Sequence, residues 1–294
     1  MSEEAWTFLG HRVSGDALDL IKTVVGEFGG LSRDELAATV CEWLGWTRAT
    51  GRVKTRECRD FLERLDAAGL ITLPAKRVGR PVGSRTTVPV TTRGDAQAAV
   101  TGTARDLTPL EIVRVTTADE RLLFRELVGR HHDLGHAVPF GAHVRYLVYA
   151  TRPQRQVVAC AQFSSAAWRM ACRDAWIGWT DATRVRHLPH VVNNSRLLIL
   201  PHVRVRNLAS TILAQLATAV GPDWRAAYGV RPWLLETLVD PTRFAGTCYR
   251  AANWILVGQT RGRGRTGPRR PTRSAKGVFL YPLVRDAGAR RREA

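Results

Sequence analysis

The sequence predicts an α/β (α+β) chain in which a small helical module precedes a mixed sheet flanked by helices. Three observations carry this reading. Residues 15 to about 75 repeat apolar residues at helical spacing. From about Leu107 onward, short β-branched runs alternate with amphipathic stretches. Between Asn193 and Arg265 the order strand, turn, helix occurs twice and closes in a glycine–arginine loop. That order presents backbone N–H groups to an anionic ligand at a helix start.

The N-terminal elements follow from apolar spacing and capping residues. Ala17, Leu20, Ile21, Val24 and Val25 share one face of a helix over Asp16 to Phe28. Ser32 and Glu35 form a capping box ahead of a second helix holding Leu36, Val40 and Leu44. Thr55 to Ala68 is a third helix, with Gly69 as its stop. Leu70 to Leu73 reads as a short strand. Three helices and a strand make a winged-helix-like module over 1–75, whose third helix would carry Lys54, Arg56 and Arg59 toward nucleic acid. A protein-binding module with solvated basic residues is the alternative.

Residues 76–105 lack periodicity and read as a mobile basic linker. The second domain, 106–265, opens with a strand over Glu111 to Val115 and a helix over Ala118 to Arg130. A hairpin follows over His143 to Ala150 and Val157 to Phe163, then a helix from Asp181 to His190. Next come a strand from Leu197 to His202, a helix from Asn207 to Val220, a strand from Trp233 to Val239 and a helix from Arg243 to Ala252. Residues 266–294 read as an arginine-rich tail with an edge strand over Phe279 to Val284.

Charge narrows the function. The 294 residues carry a formal charge of +18, and the pI is about 11.0. Residues 261 to 292 hold eleven Lys or Arg against one acid, Asp286. Such a bias implies a polyanionic partner, double-stranded DNA first, with Arg261, Arg263 and Arg265 in contact. The five cysteines are widely spaced and include no C-x-x-C pair, so neither a disulfide framework nor a zinc ribbon is indicated. No signal peptide and no stretch of roughly 18 apolar residues is visible, so a cytoplasmic protein with no membrane partner is expected.

Two sets of motifs resemble known families. Residues Arg204, Val205, Arg206, Asn207, Leu208 and Ala209 resemble the phosphate-cradling turn of GCN5-related N-acetyltransferases (GNAT), with Asn207 where that family has glycine. Tyr249 followed by Asn253 and Trp254 resembles the family's Tyr-x-x-x-Gly-Phe, whose tyrosine is often a general acid. The resemblance implies a GNAT-like core over roughly 107 to 265. Longer strings are similar to the Druantia anti-phage DruA family, a bacterial family long classed as a domain of unknown function. They are FSSAAWRMACRDAWIGW, VVNNSRLLILPHVRVRNLAS and GTCYRAANWILVGQTRGRGR. That similarity implies phage defence or association with mobile elements, and other defence proteins as partners.

The candidate site residues leave three functions open. A DNA-binding module would recruit partners through a repurposed core. A group-transfer enzyme would use Tyr249 as general acid and a phosphate-bearing donor held at Arg204, Arg206 and Asn207. A metal-dependent phosphodiester enzyme would gather Asp174, Glu236 and Asp240, although no metal set is assigned and no cofactor is named. Glu236, flanked by Leu235 and Leu238, needs either an arginine or a metal as partner. Asn194 and Arg196, placed before the core strand, either line a pocket or cap the preceding helix. Asp174 and Asp240 are expected to pair with Arg173 and Arg243 on loops. The group His131, His132 and His136 reads as a polar loop rather than a metal site.

Overall fold

The computed structural model describes residues 6–28, 31–48, 53–76, 90–139, 141–260 and 274–284. The N-terminal part starts with a minimal hairpin, β1 (Thr7–Phe8) and β2 (His11–Arg12). Three helices follow: α1 (Gly15–Glu27), α2 (Arg33–Leu44) and α3 (Thr55–Ala67). Ser14 caps α1 by accepting from the Ala17 N–H at 3.3 Å, and the Ser32–Glu35 capping box starts α2. The expected strand over Leu70 to Leu73 is absent. The Leu73 N–H is taken by the Asp66 carboxylate at 2.9 Å, and the Ile71 and Leu73 side chains turn inward. With that donor committed to a side chain, the segment has less to offer a ladder.

The basic segment is shorter than the sequence suggests. Residues 90–105 are tied to the body, against the expectation of a mobile linker. Thr91 donates its N–H and hydroxyl to Glu126 at 2.6 and 2.7 Å, and Arg130 reaches Asp95 at 2.7 Å. Strand β3 (Val100–Thr103) pairs in parallel with β8 (Val203–Arg206). Its threonines suit a strand once a partner is supplied from a hundred residues away, which local composition does not reveal.

The central sheet has seven strands. They are β4 (Leu110–Arg114), β5 (His143–Ala150), β6 (Gln156–Ser165), β7 (Val191–Ile199), β9 (Leu234–Val239), β10 (Ile255–Gln259) and β11 (Gly277–Pro282). Their order is β10-β11-β9-β7-β6-β5-β4. All neighbours are antiparallel except β7 and β9. Helix α4 (Ala118–His131) covers one face, and Phe124 lies 5.7 Å below the Arg145 guanidinium. Helix α7 (Leu208–Tyr228) covers the other, joined by Tyr146 to Asp223 at 2.8 Å and by Tyr228 to the His143 backbone. Short helices α5 (Ala171–Ile177), α6 (Asp181–His187) and α8 (Thr247–Ala251) complete the body. The order strand, helix, hairpin, strand, turn, helix is the one the GNAT resemblance implies, and the core is GNAT-like.

Several boundaries moved for physical reasons. Helix α7 runs through Pro222, because Val220 and Trp224 are both fully buried and hold the next turn in place. Strand β7 begins at Val191, so Asn193 to Arg196 lie inside the strand rather than ahead of it. Helix α8 begins four residues late. Gly246 takes φ +69°, and a Cβ there would lie 2.7 Å from the Phe279 ring. Strand β11 is no edge strand: it lies between β10 and β9, with Val278 and Leu280 fully buried.

The buried residues of α1–α3 and of the sheet form one continuous apolar core. Trp43 of α2 stacks on Trp168 with centroids 5.9 Å apart. Burial of an aromatic pair of this size is a strong tie between the two parts.

The inner position of β11 sets a clear expectation for truncation. Deleting residues 266–294 removes an interior strand and exposes both β9 and β10. The shortened chain should lose its cooperative thermal transition and precipitate. A soluble, cooperatively melting product would show that β11 is dispensable.

Candidate functional site

The parallel pair β7–β9 is short. Only Val191, Val192 and Asn193 pair with Leu234, Leu235 and Glu236. Beyond Asn193 the strands part: β7 stays with β6 as far as Ile199, and β9 stays with β11. At the parting point side chains replace the backbone ladder. The Thr237 hydroxyl donates to the Asn194 carbonyl at 3.0 Å, and the Tyr249 hydroxyl donates to Asn194 Oδ1 at 2.8 Å. The Asn194 amide in turn reaches the carbonyls of Gln162 and Arg196 at 3.3 and 3.0 Å. Tyr249 therefore stands at the apex of the cleft, on α8, held between Trp254 and Phe279. Burial raises its pKa far above the ordinary tyrosine value, so the hydroxyl is protonated at neutral pH.

The turn into α7 follows β8, the next strand after β7. Asn207 takes φ +62°, the left-handed conformation that glycine usually supplies. Asn253 does the same at φ +63°. Both departures from the GNAT motifs thus keep the backbone shape that glycine would give. The Asn207 carbonyl accepts the Ser210 and Thr211 hydroxyls at 2.9 and 3.0 Å, which fixes the first turn of α7. Arg204 and Arg206 point outward from β8 and are exposed.

The carboxylates do not converge. Glu236 and Asp174 are joined by Arg173, whose side chain is wholly buried. Arg173 meets Glu236 Oε2 at 3.0 Å and Asp174 Oδ1 at 2.8 Å, and it donates to the carbonyls of Ala167 and Trp168. Asp174 also receives Arg184 at 3.2 Å. Burial pushes the Glu236 pKa up, and Arg173 opposes that shift. Of the two partners the sequence left open for Glu236, the arginine is the one present.

Asp240 is elsewhere. It accepts from Ser274 and Thr242 at 2.7 Å each, bonds that hold its pKa down. Arg243 pairs with Asp133 at 2.7 Å instead of with Asp240. Among the described residues no group of three His, Cys, Asp or Glu is placed to hold a metal ion. The histidines separate as well: His131 contacts the Gly94 carbonyl at 3.0 Å, and His132 Nδ1 accepts the Leu134 N–H at 3.1 Å.

At the N-terminal module, Arg59 is engaged by Asp34 at 3.1 Å and Asp60 at 3.7 Å. Lys54 lies 6.0 Å from the Phe8 ring, and Arg56 is exposed. Arg261, Arg263 and Arg265 lie outside the described residues. Sequence reasoning passed over Arg145, Gln162 and Arg196 as a group. Their alternation in three strands hides their alignment until the register is known.

The family model for the Druantia protein DruA matches residues 65–267. The chain belongs to that family. Membership in the DruA family connects it with Druantia anti-phage defence. No curated protein matches the chain significantly. Solved acetyltransferases are similar in part. An aminoglycoside acetyltransferase AAC(6')-Ib in complex with coenzyme A is 14% identical, with TM-score 0.40, over 62% of this chain and 98% of its own. An N-acetyltransferase from Staphylococcus aureus Mu50 is 11% identical, with TM-score 0.38, over 59% and 97%. The spermidine/spermine N-acetyltransferase SpeG from Vibrio cholerae is 10% identical, with TM-score 0.35, over 59% and 92%. Among the described residues of this DruA-family chain, no helix is long and apolar enough to cross a membrane.

The buried ion pairs predict a graded mutational response. Glu236→Ala leaves Arg173 buried with one carboxylate fewer and should lower unfolding stability by about 3–5 kcal/mol. Asp240→Ala should cost far less. Equal losses in urea denaturation would contradict the structural role assigned to Arg173 and Glu236.

Proposed function

We propose that this chain is a DNA-binding component of Druantia defence that grips double-stranded DNA by its phosphates inside the bacterial cell. The observation that carries the reading is the turn from β8 into α7. Arg204 and Arg206 project from it, and among the described residues neither has an ion-pair or hydrogen-bond partner. Beside them the start of a 21-residue helix offers N–H groups with no intrahelical acceptor and the positive end of the helix dipole. A net charge of +18 supplies the long-range attraction. Lys54 and Arg56 on the helical module, with Arg59 released from its exposed ion pairs, extend the contact, as do Arg261, Arg263 and Arg265. Other components of the defence system are the expected protein partners.

Binding by phosphate contact is salt-dependent. Neutralising about five phosphates gives a log–log slope of about −4 to −5, and removing both Arg204 and Arg206 should make it shallower by about 2. Fluorescence anisotropy with a labelled duplex between low and physiological salt measures this. A flat response, or a double variant with the parent slope, would sink the reading.

The parting of β7 and β9 favours a second reading, group transfer from a phosphate-bearing donor seated in the cleft. Tyr249 would then supply a proton from its apex position, and Asn194 would position it. Tyr249→Phe keeps the ring between Trp254 and Phe279 and removes only the hydroxyl. On this reading the variant folds and binds DNA yet fails to protect cells against phage. Full protection by Tyr249→Phe would remove the cleft from the mechanism and leave the DNA-binding reading standing.

A further inference from the structure

A second basic site lies on the opposite face of the sheet, under α4. The register places Arg145 of β5 opposite Gln162 of β6, and Gln162 opposite Arg196 of β7, so the three side chains form one row. Gln162 is 1% exposed. Its Oε1 accepts Arg145 Nε at 2.9 Å and its Nε2 donates to the Ser195 hydroxyl at 3.2 Å, so the amide links Arg145 to the residue before Arg196.

Among the described residues neither arginine has a carboxylate in hydrogen-bond contact. Arg196 donates to two neutral carbonyls, Gly135 at 3.2 Å and Ser195 at 2.7 Å. Arg145 keeps Nη2 buried with no partner. His136, whose ring meets Phe124 edge-on at 6.4 Å, also keeps Nε2 buried with no partner. Glu35 is within electrostatic reach of Arg145 but makes no hydrogen bond to it, and its Oε2 accepts the Ser32 N–H and hydroxyl at 2.9 and 2.8 Å.

Burial depresses the pKa of both arginines, with Arg125 adding to the effect at Arg145. It also pushes His136 down to about 4, helped by Arg145, Arg125, Arg196 and His143. Two guanidinium groups are therefore partly desolvated in the same row, with two polar atoms left unsatisfied. Burying such charges is costly unless an anion compensates them.

We infer that the row Arg145–Gln162–Arg196, with His136 above it, is a binding site for a terminal phosphate group. The guanidinium N–H groups that these bonds leave over, Nη2 of Arg145 first, suit the oxygens of a phosphate. The loop over 132–139 is tied above the row by the bond from Arg196 to the Gly135 carbonyl, so a phosphate at the end of a molecule suits the place better than the continuous backbone of a duplex. The ligand is thus a small phosphorylated molecule or the phosphorylated end of a strand. Leu134 and Val138, exposed on the same loop, offer apolar surface to the rest of it. This site is separate from the exposed turn at Arg204 and Arg206, and its test does not depend on that one.

The test is titration calorimetry of the full chain with inorganic phosphate at constant ionic strength, chloride replacing phosphate in the blank. The expected result is saturable one-to-one binding, weakened at least about tenfold in Arg145→Met and unchanged in Arg204→Ala. A nucleoside 5′-monophosphate, and an oligonucleotide with or without its 5′-phosphate, then separate the two ligand sources. Phosphate should also raise the His136 pKa, read by NMR of its ring. The charged groups facing that ring are Arg145 and His143 on β5, Arg125 on α4 and Arg196 on β7. Absence of saturable phosphate binding overturns the inference. So does binding lost in Arg204→Ala and retained in Arg145→Met. If circular dichroism shows Arg145→Met to be unfolded, Arg196→Gln is judged by the same criteria.

Discussion

One buried guanidinium holds the centre of this protein together. Arg173 spends its donors on the Glu236 carboxylate, the Asp174 carboxylate and two backbone carbonyls. Through Asp174 it also fixes Arg184 on α6. Glu236 occupies the last register position at which β7 and β9 still pair. The connection between α5, α6 and the sheet therefore runs through a buried charged network. Such a network is unforgiving: fully satisfied it specifies one arrangement, and each missing member leaves a buried charge behind.

The cleft follows from where that pairing ends. Beyond Asn193, β7 and β9 each keep one neighbour and lose the other. The backbone groups left at the junction are partly met by Thr237 and Asn194, and through them by Tyr249. A fold that opens its sheet at one point must satisfy the polar groups it uncovers, and polar side chains at that point are the means. The polar run within β7 has this origin. It also explains why Asn194 and Tyr249, far apart in sequence, belong to one arrangement.

Much of this was legible in the chain. Helical spacing in α1 to α3, the alternation in β5 and β6, and the strand–turn–helix at Asn207 all depend on local pattern, and local pattern places them. Two other features depend on distant partners. The chain gives no local sign that Val100 to Thr103 will pair with Val203 to Arg206, or that Gly277 to Pro282 will enter the middle of the sheet. Pro222 reads as a helix stop because propensity says so, and the buried Trp224 two residues on overrules it. At the candidate sites, charge and residue type could be read directly. Which carboxylate meets which arginine could not, because ion pairing is settled by register and not by separation along the chain.

The position of β11 changes what the glycine–arginine segment is. Thr260 donates its N–H to the Lys276 carbonyl at 2.8 Å, and Lys276 returns the contact to the Thr260 hydroxyl at 2.9 Å. The described residues on either side of 261–273 are therefore pinned to each other at the end of one antiparallel pair. A protease cutting there would release no fragment: both new ends would stay attached to strands of the same sheet.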